Sequence, residues 1–237
     1  QTTQLPGRDR ILAENPQLLF TIGAEEGEHW ELLSGVRALA FDARENLYVL
    51  DSKNFRVLVF DSAGKFVRQV GKKGDGPGEL MLPTGMTVMT DGRLVVSDVG
   101  RRAYSLFSRD GRFLTNYLWG DGDGPSGREG GMRAHPRSGV IAPMFRPRPR
   151  PEQPGPATGE RRVPVLWVDF PTSGSSATHV AQLYEFVLPS ITRKVEALAG
   201  GGSRVTTMQA NWSPPMTVDV LPNGGIVEAH EARYRLS

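Results

Sequence analysis

The sequence predicts an all-β chain assembled from copies of one antiparallel meander. Three observations predict it. Within residues 67–113, VRQVGKKGDGPGELMLPTGMTVMTDGRLVVSDVGRRAYSLFSRDGRF, short apolar runs alternate with glycine-bearing turns. The same pattern recurs before and after that stretch at a near-constant spacing. Glycine (28) and proline (18) are abundant together in 237 residues, which suits many short strands divided by turns.

Residues 1–17 are polar, carry Pro6 and Pro16, and read as an extended lead-in. The apolar run 18–22 is expected as a short strand closing on Gly23. The loop 24–31 holds acidic residues with His29 and Trp30. Strands follow over 36–41, 47–51 and 55–60, with turns at 42–46 and 52–54, and an Ala63-Gly64 turn leads into 66–70. The next unit repeats this scheme: a Gly/Pro loop at 72–78, strands over 84–89, 94–98 and 103–107, and a basic turn at 100–102. Asp91-Gly92 and Asp110-Gly111 close its hairpins. Asp-Gly between apolar runs predicts a two-residue type I′ turn, which needs positive φ at both central residues.

The period is explicit. Gly23 aligns with Gly71 and Glu31 with Glu79, 48 residues apart, whereas Asp51 aligns with Asp98 and Phe60 with Phe107, 47 apart. The one-residue change is expected in the turn, 44–46 against 92–93, where length varies without disturbing strand register. A third copy opens at 119–125, WGDGDGP, and continues with strands at 132–135 and 139–143. FRPRPRPEQPGPATGERR (145–162) interrupts it, and its Pro/Arg-rich composition predicts a polyproline-like insertion that does not pack. Strands resume at 163–170 and 178–187, and 191–198 suits either a strand or a helical turn. A fourth copy runs through 215–220, a turn at 222–225, 226–230 and 233–236.

A net charge of +2 gives no global field that demands nucleic acid or a membrane surface. The absence of cysteine excludes disulfides, thiolate metal sites and a cysteine nucleophile. No run of 18 apolar residues exists to span a bilayer as a helix. QTTQLPGRDR at the start suits a mature end after a removed signal, so an extracytoplasmic setting, periplasmic or secreted, is expected.

The residues 46–57 (NLYVLDSKNFRV), 74–79 (GDGPGE) and 63–67 (AGKFV) resemble NHL-type repeats, and more closely the exported six-bladed β-propeller proteins of bacteria. The likeness is specific over 18–113, partial over 114–145 and good again over 212–237, while 146–211 depart from it. It implies a β-propeller of four-stranded antiparallel blades over 18–237, with run 18–22 completing the last blade as its outer strand. Six blades of about 47 residues need roughly 280, so the resemblance implies an incomplete ring. Open blade edges would invite dimer pairing.

Asp51, Asp98 and His230 recur just after a strand, where side chains satisfy turn amides. The glycine loops 71–78 and 120–127 read as blade connectors. A phosphate loop needs a following helix, and a calcium loop needs a full set of spaced oxygen ligands. A lactonase- or esterase-type propeller would place acids and amides near 34–37, 83–86, 131–134 and 215–217, and these hold no Asp, Glu or Asn. They carry Arg37 and Arg133 instead, with His135 beside the latter, while neighbouring turns add Lys72, Lys73, Arg101 and Arg102. Clustered guanidinium groups suit an anionic partner through paired hydrogen bonds. Trp30 and His29 offer an aromatic contact patch or wedge packing between blades.

The reading is a non-catalytic binding or scaffold module that presents its loops to a protein or an anionic small molecule, with no cofactor or metal expected. The alternative is a metal-dependent hydrolase or lyase of the six-bladed type. RNA binding through a basic face is a minor alternative, disfavoured by the small net charge.

Overall fold

The computed structural model describes residues 18–119, 124–125, 131–145, 161–170, 179–188, 191–197, 203–209, 217–220, 222, 224, 226–230 and 233–236. The expected lead-in 1–17 and nearly all of the 145–162 insertion lie outside them.

Two complete four-stranded antiparallel blades open the chain. The first is β1 (Val36–Phe41), β2 (Leu47–Asp51), β3 (Arg56–Phe60) and β4 (Phe66–Val70), in that spatial order. The second is β5 (Pro83–Val88), β6 (Leu94–Asp98), β7 (Ala103–Phe107) and β8 (Phe113–Leu118). The third sheet orders β10 (Arg133–Ala134), β11 (Val140–Phe145), β12 (Arg161–Asp169) and β13 (His179–Leu188), with β9 (Gly124–Pro125) on β11. A two-stranded hairpin, β14 (Ile191–Ala197) with β15 (Ser203–Gln209), follows. Of the stretch 191–198, open between strand and helical turn in the sequence, residues 191–197 form a strand. β16 (Thr217–Val220), β17 (Ile226–His230) and β18 (Arg233–Leu236) make the fourth unit.

Sheet alternation explains the packing. Tyr48 and Leu50 of β2, with Val57 and Val59 of β3, share one core with Met86, Val88, Leu94, Val96 and Phe107 of the second blade. The opposite face of that blade, Val95, Tyr104 and Leu106, packs on Met132, Val140, Ala142, Leu166 and Val168 of the third. Each middle strand is therefore apolar on both faces, as stacked sheets require. The inner strands are consecutive neighbours, β1 against β5, β5 against β10, and β10 against β16.

The structure corrects three details of the sequence reading. The run 18–22 forms no strand: Leu18 and Leu19 are exposed, and Phe20 and Ile22 pack over Leu47, Val49, Leu58 and Phe60. A strand needs a partner edge to hydrogen-bond, and among the described residues none pairs with it. The Asp-Gly hairpins are not two-residue type I′ turns. The Gly92 N–H donates to Met89 O and the Met89 N–H to Arg93 O, with positive φ at Gly92 alone. This is a type I turn followed by one left-handed residue. Asp61–Gly64, Ser108–Gly111 and Asp42–Glu45 repeat it bond for bond.

Because the turn at Asp42–Glu45 matches that at Met89–Gly92, the extra residue of the first unit does not sit there. Glu31 and Glu79 both receive an N–H three residues upstream, from Glu28 and Gly76. Ser34 and Met81 are already 47 apart, each donating its N–H to the aspartate that ends the second strand. The insertion is thus in Leu32-Leu33 against the single buried Leu80.

Candidate functional site

The ends of the inner strands are held by buried carboxylates. Asp51 Oδ1 accepts the N–H groups of Ser34 and Gly35, at 3.1 and 2.9 Å, and Oδ2 accepts Asn54 Nδ2 and Arg56 Nε. Asp98 likewise accepts the N–H groups of Met81 and Leu82, at 2.7 and 2.8 Å, and of Arg101. These aspartates satisfy backbone amides, but chiefly those of the incoming connector and not only of their own turn. Burial alone would push the Asp51 carboxyl up; the bonds from Asn54, Gly35, Ser34 and Arg56 outweigh it and hold it below its ordinary value.

On that scaffold the candidate residues separate. Arg37 is exposed on β1, and its Nε donates to Thr84 O of β5 at 3.2 Å, across the seam between the first two blades. Arg133 on β10 places Nε 3.3 Å from Asp219 Oδ1 on β16, across the seam between the third and fourth units. His135 is buried, its ring centred 4.6 Å from that of Trp167. Its Nδ1 accepts the Arg137 N–H at 3.2 Å, which makes that nitrogen unprotonated. Burial first, and the Arg137 charge second, push the His135 pKa down, against a backbone bond with Gly224.

The other candidates serve the connectors. Arg101 donates to Gly74 O, Gly76 O and Glu79 O, so it locks the 71–78 loop, which the structure makes a connector. Lys72 pairs with Glu79 at 3.2 Å on the surface. Trp30 stacks on Phe66 at 5.1 Å and meets Phe60 edge-on at 6.0 Å, capping the first blade. His29 Nδ1 accepts from Arg56 Nη1 at 2.7 Å. Arg102 stays exposed in the left-handed region at φ 53°. The set does not converge on one point: Arg37 and Arg133 serve different seams.

Asp219 escaped the sequence reading, which looked for carboxylates only as far as residue 217. The alternation Thr217-Val218-Asp219-Val220 is the signal that would have found it. Among the described residues no group of three or more His, Cys, Asp or Glu is placed to share a metal ion. No helix among them is long and apolar enough to cross a membrane.

Comparison with known proteins agrees with the blades. Residues 31–116 match a family model described as a 6-bladed beta-propeller. A stretch of 52 residues is 38% identical to the E3 ubiquitin-protein ligase NHLRC1 of Homo sapiens, covering 22% of this chain and 13% of that protein. A candidate exported protein from Bacteroides fragilis aligns at 14% identity and TM-score 0.43, over 92% of this chain and 75% of its own. Streptogramin B lyase aligns at 8% identity and TM-score 0.44, over 86% of this chain and 66% of its own. Those two likenesses decide nothing about what this chain does. With its repeated four-stranded antiparallel blades and its match over 31–116, the chain is an NHL-like β-propeller.

Proposed function

We propose that this chain is a non-catalytic propeller module that binds an anionic ligand, a small molecule or an acidic protein segment, at its inner row of strands. One observation carries the reading: Arg37 and Arg133 sit on the inner strands β1 and β10 and reach across to the neighbouring blade. The planar fork of a guanidinium matches carboxylate or phosphate through paired hydrogen bonds. We include an extracytoplasmic setting, which recovery of the chain in the cytoplasmic fraction of its source cells would remove.

Calorimetric titration of the 237-residue chain with phosphate, oxalate and citrate tests the reading. Saturable, salt-sensitive binding of at least one anion is expected, weakened about tenfold by Arg37→Gln or Arg133→Gln, the loss of one charge-assisted contact. Unchanged affinity in the double variant, or no binding of any anion, would sink it. Binding that requires an added divalent metal would favour the hydrolase alternative.

A further inference from the structure

We infer that run 18–22 serves as the outer strand of a blade supplied by a second copy of this chain, the three-stranded unit β16–β18. This goes beyond the anion-binding reading and does not rest on it.

The repeat shows what place the run holds. Ile22-Gly23 and Val70-Gly71 are 48 residues apart. Both glycines have positive φ, and each lies against a leucine of the connector that follows, Leu33 or Leu80. Phe20 lies over Gly64 of the first blade, as Arg68 and Val70 of β4 lie over Gly111 of the second. Phe20 and Ile22 share a core with Leu47, Val49 and Phe60, and Val70 shares one with Leu94, Val96 and Phe107, each 47 residues on. The run is therefore set against the first blade as β4 is set against the second. Unlike β4 it has no sheet of its own. Leu18 and Leu19 are 80% and 76% exposed, and Thr21 is exposed between its two packed neighbours. Leu39 and Phe41, register partners of Val49 and Leu47, are exposed on the same face, whereas Met86 and Val88 one unit later are buried.

The complementary half is the fourth unit. The third strands β3 and β7 are each covered by a fourth, β4 and β8, but β18 has none among the described residues. An open edge presents a row of N–H and C=O groups ready to pair with another strand. A strand without a sheet and a sheet one strand short satisfy each other. They do not meet within one chain: the inner seams run from β1 to β5, β5 to β10 and β10 to β16, and no such seam joins β16 back to β1. A blade packed there would cover Leu39 and Phe41 as the first blade covers Met86 and Val88. Each copy offers both halves, so the exchange is reciprocal and closes as a two-fold dimer.

The first blade sets the register. The pair His230↔Arg233 matches Asp51↔Arg56, so Tyr234 and Arg235 hold the places of Val57 and Leu58. Val57 pairs with Val70 and Leu58 with Gln69. Moving 48 residues back along the repeat puts Ile22 opposite Tyr234 and Thr21 opposite Arg235.

The chain has no cysteine, so cross-linking reads this register directly. Thr21→Cys and Arg235→Cys are made as separate variants of the full chain, mixed and oxidised. Directly opposed residues of an antiparallel pair are close enough for a disulfide, and a covalent heterodimer is expected. It should be lost when Glu228→Cys, one strand further in, replaces Arg235→Cys. The unaltered chain should sediment with a concentration-dependent dimer. A heterodimer that forms equally with Glu228→Cys, or none at any concentration, would overturn the exchange. So would a 21–235 disulfide formed within single chains when a variant carrying both cysteines is oxidised at high dilution, since that would show the blade to be closed in one copy.

Discussion

Arg56 Nη2 lies 3.1 Å from Asp51 Oδ2, and the two side chains are only 1% and 0% exposed. Arg56 also donates to His29 O and Leu32 O, so one buried guanidinium ties a middle strand to the connector that enters its blade. Removing one partner of a buried pair leaves the other charge without compensation, at a cost of about 3–5 kcal/mol. Asp51→Ala should therefore destabilise by that amount in urea unfolding. Asp98 holds mainly amides, and its Arg101 partner keeps three carbonyls of the loop. Asp98→Ala should cost less, about 1–3 kcal/mol. Equal losses would show that Arg56 does not distinguish the blades. Because the folded Asp51 pKa lies below its ordinary 3.8, its stabilisation is present above that pH and is lost as the pH falls through the folded value. Asp51→Asn should flatten that acid limb.

Glu45 occupies the left-handed position of the first hairpin turn at φ 63°, where the three equivalent turns have Gly64, Gly92 and Gly111 at 79°, 85° and 88°. A side chain there costs about 1–2 kcal/mol, while glycine adds unfolded-state entropy of about 0.5–1 kcal/mol. Glu45→Gly should raise stability by up to about 1 kcal/mol. Gly92→Ala should do the opposite, because its new Cβ would also meet the Arg109 guanidinium. Thermal melts of both variants check the pair, and a lower melting temperature for Glu45→Gly would contradict the argument.

Ser105 and Asn116 are register partners on β7 and β8, and Ser105 Oγ and Asn116 Oδ1 are buried with no hydrogen-bond partner among the described residues. The first blade places Leu58 opposite Gln69 at the same positions. An unpaired buried hydroxyl costs about 1–3 kcal/mol, so Ser105→Ala should be neutral or stabilising by up to about 1 kcal/mol in urea unfolding. A loss greater than that would mean that the hydroxyl is paired, by a buried water for instance.

The first two blades are legible in the sequence because each strand is marked twice, by a short apolar run and by a repeat 47 residues away. The turn type is not, since Asp-Gly marks where positive φ is tolerated and not which amide closes the turn. The connector insertion is hidden because Leu32-Leu33 and Leu80 are all apolar, and only the hydrogen bonds of Glu31 and Ser34 show where the register changes. Of the candidate site, Arg37 and Arg133 could be placed on inner strands by position alone. Their partners Thr84 and Asp219 come from other blades, where no local pattern points. Arg101 and Trp30 drew attention by charge and aromaticity, yet connector carbonyls occupy Arg101, and the rings of Phe60 on β3 and Phe66 on β4 occupy Trp30.

His135 gives the junction of the third and fourth units a pH dependence. The groups facing it are Arg137 on its own turn, the Trp167 ring on β12 and the Gly224 backbone. Its folded pKa lies below the ordinary 6.5, so the unfolded chain binds the proton more readily. The stabilisation is fully present above that pH and is lost as the pH falls towards the folded value. Urea unfolding at pH 8 and pH 5 should show a larger acid loss for the unaltered chain than for His135→Gln. An identical loss in both would remove His135 from the account.

Leu39 and Phe41 on β1 are 59% and 64% exposed, whereas Met86 and Val88, which hold the same register places on β5, are 3% and 5% exposed under the first blade. The first blade therefore presents outward the kind of face that the second buries. Covering each of these side chains would contribute about 2 kcal/mol, enough to offset part of the entropic cost of joining two molecules. Weak, concentration-dependent self-association is the expected outcome in sedimentation velocity. Leu39→Lys with Phe41→Lys should abolish it without disturbing the fold, because both positions already face solvent. A chain that sediments as a monomer up to millimolar concentration, or a double variant that associates as before, would place the contact elsewhere.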